Sequence, residues 1–207
     1  MLRILFSEPK NAAKGPAIFI DRDGVINERR PGDYVLDWSQ FVFVPGIRKA
    51  LSQLATLGLP LIVISNQAAV GKGMLDLEGL REITSRMQQV LLRDGTPLSA
   101  VYYCPHRSEE NCRCRKPSPG LLTAVAQDFN IDLARSVFIG DSVSDVEAAQ
   151  AVGARPLVFG TGLDMMRSEL PVAELTIVRA AEELFDRVRE RLSAETLRFE
   201  ANQRPRT

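Results

Sequence analysis

The strongest constraint on the fold is an alternation. Short apolar runs at residues 17–20, 59–65, 100–104, 136–140, 155–159 and 174–177 are separated by stretches of helical period at 46–57, 77–93, 119–129, 145–152 and 180–192. Runs that are apolar at nearly every position suit strands buried on both faces of a parallel sheet. In one of the intervening stretches, Leu77, Leu80, Ile83, Met87, Val90 and Leu91 recur at the spacing of one helix face, as core residues do. Strand and helix in alternation, joined by short connections, predict a doubly wound, mostly parallel, Rossmann-like α/β sheet. Functional residues of such sheets gather at the carboxyl ends of the strands. The segments between these ends are too short for a large cap domain. A chain of 207 residues fits one domain at 17–193, with an N-terminal extension at 1–16 and a polar C-terminal tail at 194–207.

Charge narrows the function classes. The chain has 26 Lys plus Arg against 26 Asp plus Glu, which argues against a basic nucleic-acid face and an acidic disordered chain. Its apolar runs are far shorter than the roughly 20 residues that span a bilayer. The first fifteen positions carry mixed charges and lack a signal-peptide core. The expectation is a cytoplasmic monomer with no nucleic-acid or membrane partner.

The 3 cysteines and 1 histidine of the whole chain lie together as Cys104, His106, Cys112 and Cys114. Three thiolates and one imidazole make a Cys₃His set for tetrahedral zinc, and the gap from 107 to 111 lets the chain return to the ion. Four protein ligands leave no open position, so this zinc is expected to be structural and to fix a loop.

The strand ends carry the chemistry. The first strand is followed by Asp21-Arg22-Asp23-Gly24, the second by Ser65-Asn66-Gln67, and the fourth by Gly140-Asp141 with Asp145 beyond. Arg115-Lys116-Pro117 follows the cysteine loop. Acids at i and i+2 on a strand end face one side, and glycine lets the chain turn after them. Phosphoryl transfer uses such a set. A carboxylate can attack phosphorus, with Mg²⁺ offsetting the repulsion between the two anions. Lys116 and Ser65 would stabilise the phosphoryl oxygens. Asp23 would protonate the leaving oxygen and later activate water, and a carboxyl among other carboxylates is expected to have a raised pKa that suits this task.

These four segments resemble the motifs of the haloacid dehalogenase-like phosphatases. The resemblance covers about 17–162 and implies a Mg²⁺-dependent phosphomonoesterase acting through an aspartyl-phosphate. It implies Asp21 as nucleophile and Mg²⁺ ligand, Asp23 as acid/base with its carbonyl on Mg²⁺, and Asp141 as a further ligand supported by Asp145. Ser65 and Lys116 would be catalytic. Asn66, Gln67, Arg115, Tyr34, Arg29 and Lys72 would bind the substrate, a small phosphorylated metabolite. Joining the cysteine loop to Arg-Lys-Pro is similar to a branch that holds the heptose 1,7-bisphosphate phosphatases and the histidinol-phosphatase domains. Lys116-Pro117-Ser118-Pro119-Gly120 resembles the Lys-Pro-x-Pro-Gly of the heptose enzymes, which implies removal of the 7-phosphate. Lys72 stands where arginine is usual and Ser142 where some heptose enzymes have lysine, two departures near a second phosphate. Two non-enzymatic alternatives are a receiver-like phosphoacceptor and a zinc-bearing interaction module. Asp23 argues against the first, because an acid two residues past the nucleophile speeds loss of phosphate.

Overall fold

The computed structural model describes residues 1–7, 14–30, 32–160 and 176–202, with side chains as far as 193 in the last helix. Its strands are β1 (Leu2–Leu5), β2 (Ile18–Ile20), β3 (Leu61–Asn66), β4 (Ala100–Cys104), β5 (Val137–Gly140), β6 (Arg155–Phe159) and β7 (Thr176–Val178). They form one sheet in the order β1-β4-β3-β2-β5-β6-β7. Every pairing is parallel except β1 with β4.

The continuous apolar runs are buried on both faces, as their composition predicts. On one face Ile18, Ile20, Val63, Tyr103 and Ile139 pack with helices α1 (Ile47–Ala55), α3 (Leu77–Arg93) and α6 (Leu184–Asn202). On the other, Phe19, Ile62, Ile64, Tyr102 and Phe138 pack with α4 (Gly120–Phe129) and α5 (Val143–Gln150). A short helix, α2 (Ala68–Gly71), follows β3 directly. The chain leaves β4 on one side of β2 and enters β5 on the other. That reversal opens a crevice at the carboxyl ends of β2, β3 and β5, the place where doubly wound sheets bind ligands.

Several boundaries differ from the sequence reading, each for a local reason. Residues 2–5, expected to lie in an extension outside the domain, form an edge strand whose alternating half-buried Leu2 and Ile4 pack on the core. β3 starts at Leu61 because Pro60 has no N–H for the ladder, although its carbonyl accepts from the Ile18 N–H at 2.9 Å. α5 starts at Val143 because Ser142 and Asp145 form a capping box. α6 runs past 192 to Asn202, well into the expected tail, through residues with no glycine or proline to stop it. Residues 174–175 of the expected last strand, and 203–207 of the tail, lie outside the described residues.

Between the first acidic motif and α1, the only helical turn among the described residues is a 3₁₀ turn at Trp38–Gln40. No cap domain is inserted there. An aromatic cluster holds this loop in place. Trp38 stacks on Phe41 with ring centres 4.9 Å apart, and Phe43 meets Phe41 edge-on at 5.1 Å.

Candidate active site

Asp21 follows the last residue of β2, and its N–H is held by Ile139 O of the neighbouring β5 at 2.9 Å. Its side chain is 5% exposed. Lys116, equally buried, reaches under it, with Nζ 3.0 Å from Asp21 Oδ1 and 2.5 Å from Asp145 Oδ1. Nζ also donates to the Ile64 carbonyl at 3.0 Å. The backbone of Lys116 is fixed by Asn66, which donates from Nδ2 to its carbonyl and accepts its N–H at Oδ1, both at 3.0 Å. The lysine is thus anchored to the end of β3 although it lies in a loop.

Asp141 follows β5 and approaches the turn after β2. Gly24 permits this approach: its φ is +94°, and a Cβ there would sit 1.8 Å from Asp141 Oδ2. Asp21, Asp141 and Asp145 place carboxylate oxygens within 4.8 Å of one another. Burial pushes the Asp21 carboxyl up to about 7, opposed by Lys116 and reinforced by Asp145, Asp141 and Asp23. Burial likewise raises Asp141, against the pull of Arg29. A buried group of hard oxygen donors with unbalanced negative charge fits Mg²⁺, which Asp21 and Asp141 would hold. Asp145 already has two tasks. Its Oδ2 accepts from the Ser142 hydroxyl at 2.6 Å and from the N–H groups of Asp141 and Ser142 at 3.2 and 3.1 Å. It therefore shapes the Asp141 turn and pairs with Lys116.

Asp23 corrects the sequence reading. It does not have the raised pKa expected of an acid among acids. Burial raises it, but Arg22 and hydrogen bonds from Asn27 and Gln67 more than offset this, leaving it below its usual value. The Arg22 Nη2 lies 2.9 and 3.0 Å from the two Asp23 oxygens, and Nε is 3.2 Å from Oδ1. Asn27 Nδ2 donates to Oδ1 at 2.9 Å and Gln67 Nε2 to Oδ2 at 2.7 Å. Arg22 is itself buried, with its Cζ 5.9 Å from the Tyr103 ring centre. Sequence reasoning missed Arg22 and Asn27, because nothing in their spacing shows that both turn inward onto Asp23.

A cleft of about 520 Å³ opens over these groups. Asp21, Asp23, Ser65, Asn66 and Lys116 line its floor, and Tyr34, Arg29, Lys72 and Arg115 line its walls. The structure sorts the basic residues. Arg29 makes a two-pronged pair with Asp141 at 2.9 and 2.7 Å, so it sits on the Asp141 side of the cleft. Arg30 is paired with Asp33 at 2.8 Å. Lys72 lies over the Tyr34 ring at 5.3 Å, and Arg115 donates to the His106 carbonyl at 3.3 Å. Among the described residues neither Lys72 nor Arg115 has a carboxylate at ion-pair distance. Gln67, expected to bind substrate, does not line the cleft. It is buried beneath the floor.

The cysteine loop closes beside the cleft. Cys104 Sγ lies 3.5 Å from both His106 Nδ1 and Cys112 Sγ, while Cys114 Sγ lies 3.6 Å from Cys112 Sγ and 3.3 Å from His106 Nδ1. A zinc ion with Zn–S of about 2.3 Å and Zn–N of about 2.0 Å sets tetrahedral edges of roughly 3.5–3.8 Å, so the four atoms fit it closely. Burial raises the Cys104 and Cys114 thiols, whereas N–H groups of Cys114 and Arg115 and the neighbouring thiols bring Cys112 down to about 7. The loop packs hard on α4, where a Cβ on Gly120 would sit 2.1 Å from the Arg113 carbonyl.

Comparisons with known proteins agree with this geometry. Residues 113–190 match the family described as HAD-hydrolase-like. Over 161 residues the chain is 37% identical to the D-glycero-β-D-manno-heptose-1,7-bisphosphate 7-phosphatase of Pseudomonas putida, with 78% of this chain and 91% of that one covered. It is 38% identical over 138 residues to the D-glycero-α-D-manno-heptose-1,7-bisphosphate 7-phosphatase of Mycobacterium tuberculosis, covering 66% and 73%. The D,D-heptose 1,7-bisphosphate phosphatase of B. bronchiseptica, solved with magnesium and phosphate, superposes with a TM-score of 0.78 at 27% identity, covering 84% of this chain and 98% of that one.

Two outcomes follow from the metal geometry. Cys112→Ser is expected to lose bound zinc, measured by metal analysis, and to unfold at lower temperature, because ligand binding energy is folding energy. Unchanged zinc content would remove the cluster as the site. In the metal-free protein Asp21 has a raised pKa, so its contribution to stability is present below about pH 4 and is lost as pH rises through about 7. Mg²⁺ is therefore expected to raise the melting temperature more near pH 8 than near pH 5, and equal shifts would contradict the assigned ligands.

Proposed function

Because the chain belongs to the haloacid dehalogenase-like hydrolases, in the family of the heptose 1,7-bisphosphate 7-phosphatases, we propose that it removes the 7-phosphate of a D-glycero-D-manno-heptose 1,7-bisphosphate. The observation that carries this reading is the buried Lys116 between Asp21 and Asp145 at the floor of a cleft with basic walls.

In this mechanism an Asp21 oxygen attacks phosphorus while the bond to the sugar oxygen breaks. Asp23, protonated once the anionic substrate lies beside it, gives that oxygen its proton and becomes a carboxylate. It then takes a proton from water, which attacks the aspartyl-phosphate and frees inorganic phosphate and Asp21. Lys116 and the Ser65 hydroxyl hold the phosphoryl oxygens as charge builds on them. Mg²⁺, held by Asp21, Asp141 and the Asp23 carbonyl, would offset the repulsion between carboxylate and phosphate. Arg115 and Lys72 are proposed to hold the remote phosphate, because they face the cleft without a carboxylate partner among the described residues. Tyr34 and Asn66 would line the sugar. Arg29, placed on Asp141, would act next to the metal.

On this reading the catalytic domain is 17–193, with Leu2–Leu5 adding an edge strand. Its zinc is structural, since all four positions of a tetrahedron are filled by protein. Three free thiols around one imidazole suit a reducing compartment, which supports a cytoplasmic setting. No helix among the described residues is long and apolar enough to cross a membrane. The proposal includes action as a monomer on a small phosphorylated metabolite.

The test is phosphate release from both anomers of the heptose 1,7-bisphosphate, fructose 1,6-bisphosphate and histidinol phosphate, with and without Mg²⁺. The expected result is Mg²⁺-dependent turnover at least about tenfold faster with one heptose anomer, a difference of about 1.4 kcal/mol in the barrier. Comparable turnover of histidinol phosphate would overturn the substrate assignment.

A further inference from the structure

We propose that Gln67 is a positioning residue for the acid–base step, and that its one side-chain amide fixes both the Asp23 carboxyl and the Ser65 hydroxyl. The inference rests on the phosphatase reading above.

Gln67 is 2% exposed, whereas its neighbours Ser65 and Asn66 line the cleft. Its Nε2 donates to Asp23 Oδ2 at 2.7 Å and to Ser65 Oγ at 3.1 Å. Among the described residues it is the one side chain hydrogen-bonded to both. The Asp23 Oδ2 accepts this bond, so the amide nitrogen, not the oxygen, faces Asp23. The second hydrogen of that nitrogen is then directed to Ser65. The hydroxyl therefore accepts from Gln67 and keeps its own proton for a phosphoryl oxygen.

The main chain at Gln67 is anchored as well. Its backbone N–H donates to the Cys104 carbonyl at 2.7 Å, which ties this position to the end of β4. Asp23 is thus clamped from two sides, by Arg22 and Asn27 on one and by Gln67 on the other. Loss of Gln67 removes the side of the clamp that links the acid to the phosphoryl site. The consequence is specific to the leaving group. A sugar alkoxide needs the Asp23 proton as it departs, and p-nitrophenolate does not.

The experiment measures single-turnover alcohol release from heptose 1,7-bisphosphate and from p-nitrophenyl phosphate, with Mg²⁺ and zinc-replete protein. In Gln67→Leu the sugar rate is expected to fall about 10- to 100-fold, with substrate affinity within about twofold and a loss at least about tenfold smaller for p-nitrophenyl phosphate. Gln67→Met keeps the length but lacks the N–H donor, so it is expected to show the same selective loss and carries the test if Gln67→Leu does not fold. In an Asp23→Asn background, Gln67→Leu is expected to cost less than about twofold more. Equal slowing of both substrates, an effect confined to affinity, unchanged rates, or full additivity with Asp23→Asn would overturn the proposal. Failure of the phosphatase reading has a different signature, namely no Mg²⁺-dependent phosphate release by the unaltered protein.

Discussion

A buried lysine between two buried carboxylates holds this active site together. Removing such charges from water is costly, and they are tolerated only where each has a partner at close range. Burial works against the Lys116 charge, but Asp145 and Asp21 more than offset it and keep its pKa raised. The lysine joins the ends of three strands at once. It pairs with Asp21 after β2, donates to Ile64 of β3, and pairs with Asp145 beyond β5. Asp21 is held where an incoming phosphate would share the same cation. An acidic excess remains around Asp141, which a divalent cation such as Mg²⁺ would offset.

The thiol cluster has its place in the same arrangement. Cys104 closes β4, and Cys114 stands two residues before Lys116 in the chain. A metal that fixes this loop fixes the approach of Lys116 and Arg115 to the cleft. Asn66 completes the attachment from the β3 side through two hydrogen bonds to the Lys116 backbone. An ion held by these four residues would thus govern the precision of the chemistry from outside it, as supporting interactions around active sites commonly do.

Much of this was legible in the sequence because the signals are local. The strand runs are apolar on both faces, Asp21 and Asp141 directly follow strand ends, and Ser65 lies in the last two residues of β3. The Cys₃His spacing is likewise short-range. What escaped was set by side-chain direction across the sheet. Arg22 and Asn27 turn inward onto Asp23 and lower its pKa, where proximity to other acids suggested the reverse. Gln67 is adjacent to two cleft residues yet points beneath the floor. Arg29 pairs with Asp141 across 112 positions of sequence, which no spacing rule encodes. Leu2–Leu5 joined the sheet because an edge strand needs only a short alternation, too brief to stand out from an extension.

The central claim is that Asp21 carries the phosphoryl group. Asp23→Asn protein, mixed with Mg²⁺ and p-nitrophenyl phosphate, whose leaving group needs no proton, and quenched in acid, can be digested and mapped by mass spectrometry. Slowed attack by water is predicted to leave one phosphoryl group on the peptide that contains Asp21. Phosphate release by that protein with no phosphoryl on Asp21, or with the group on another residue, would contradict the account.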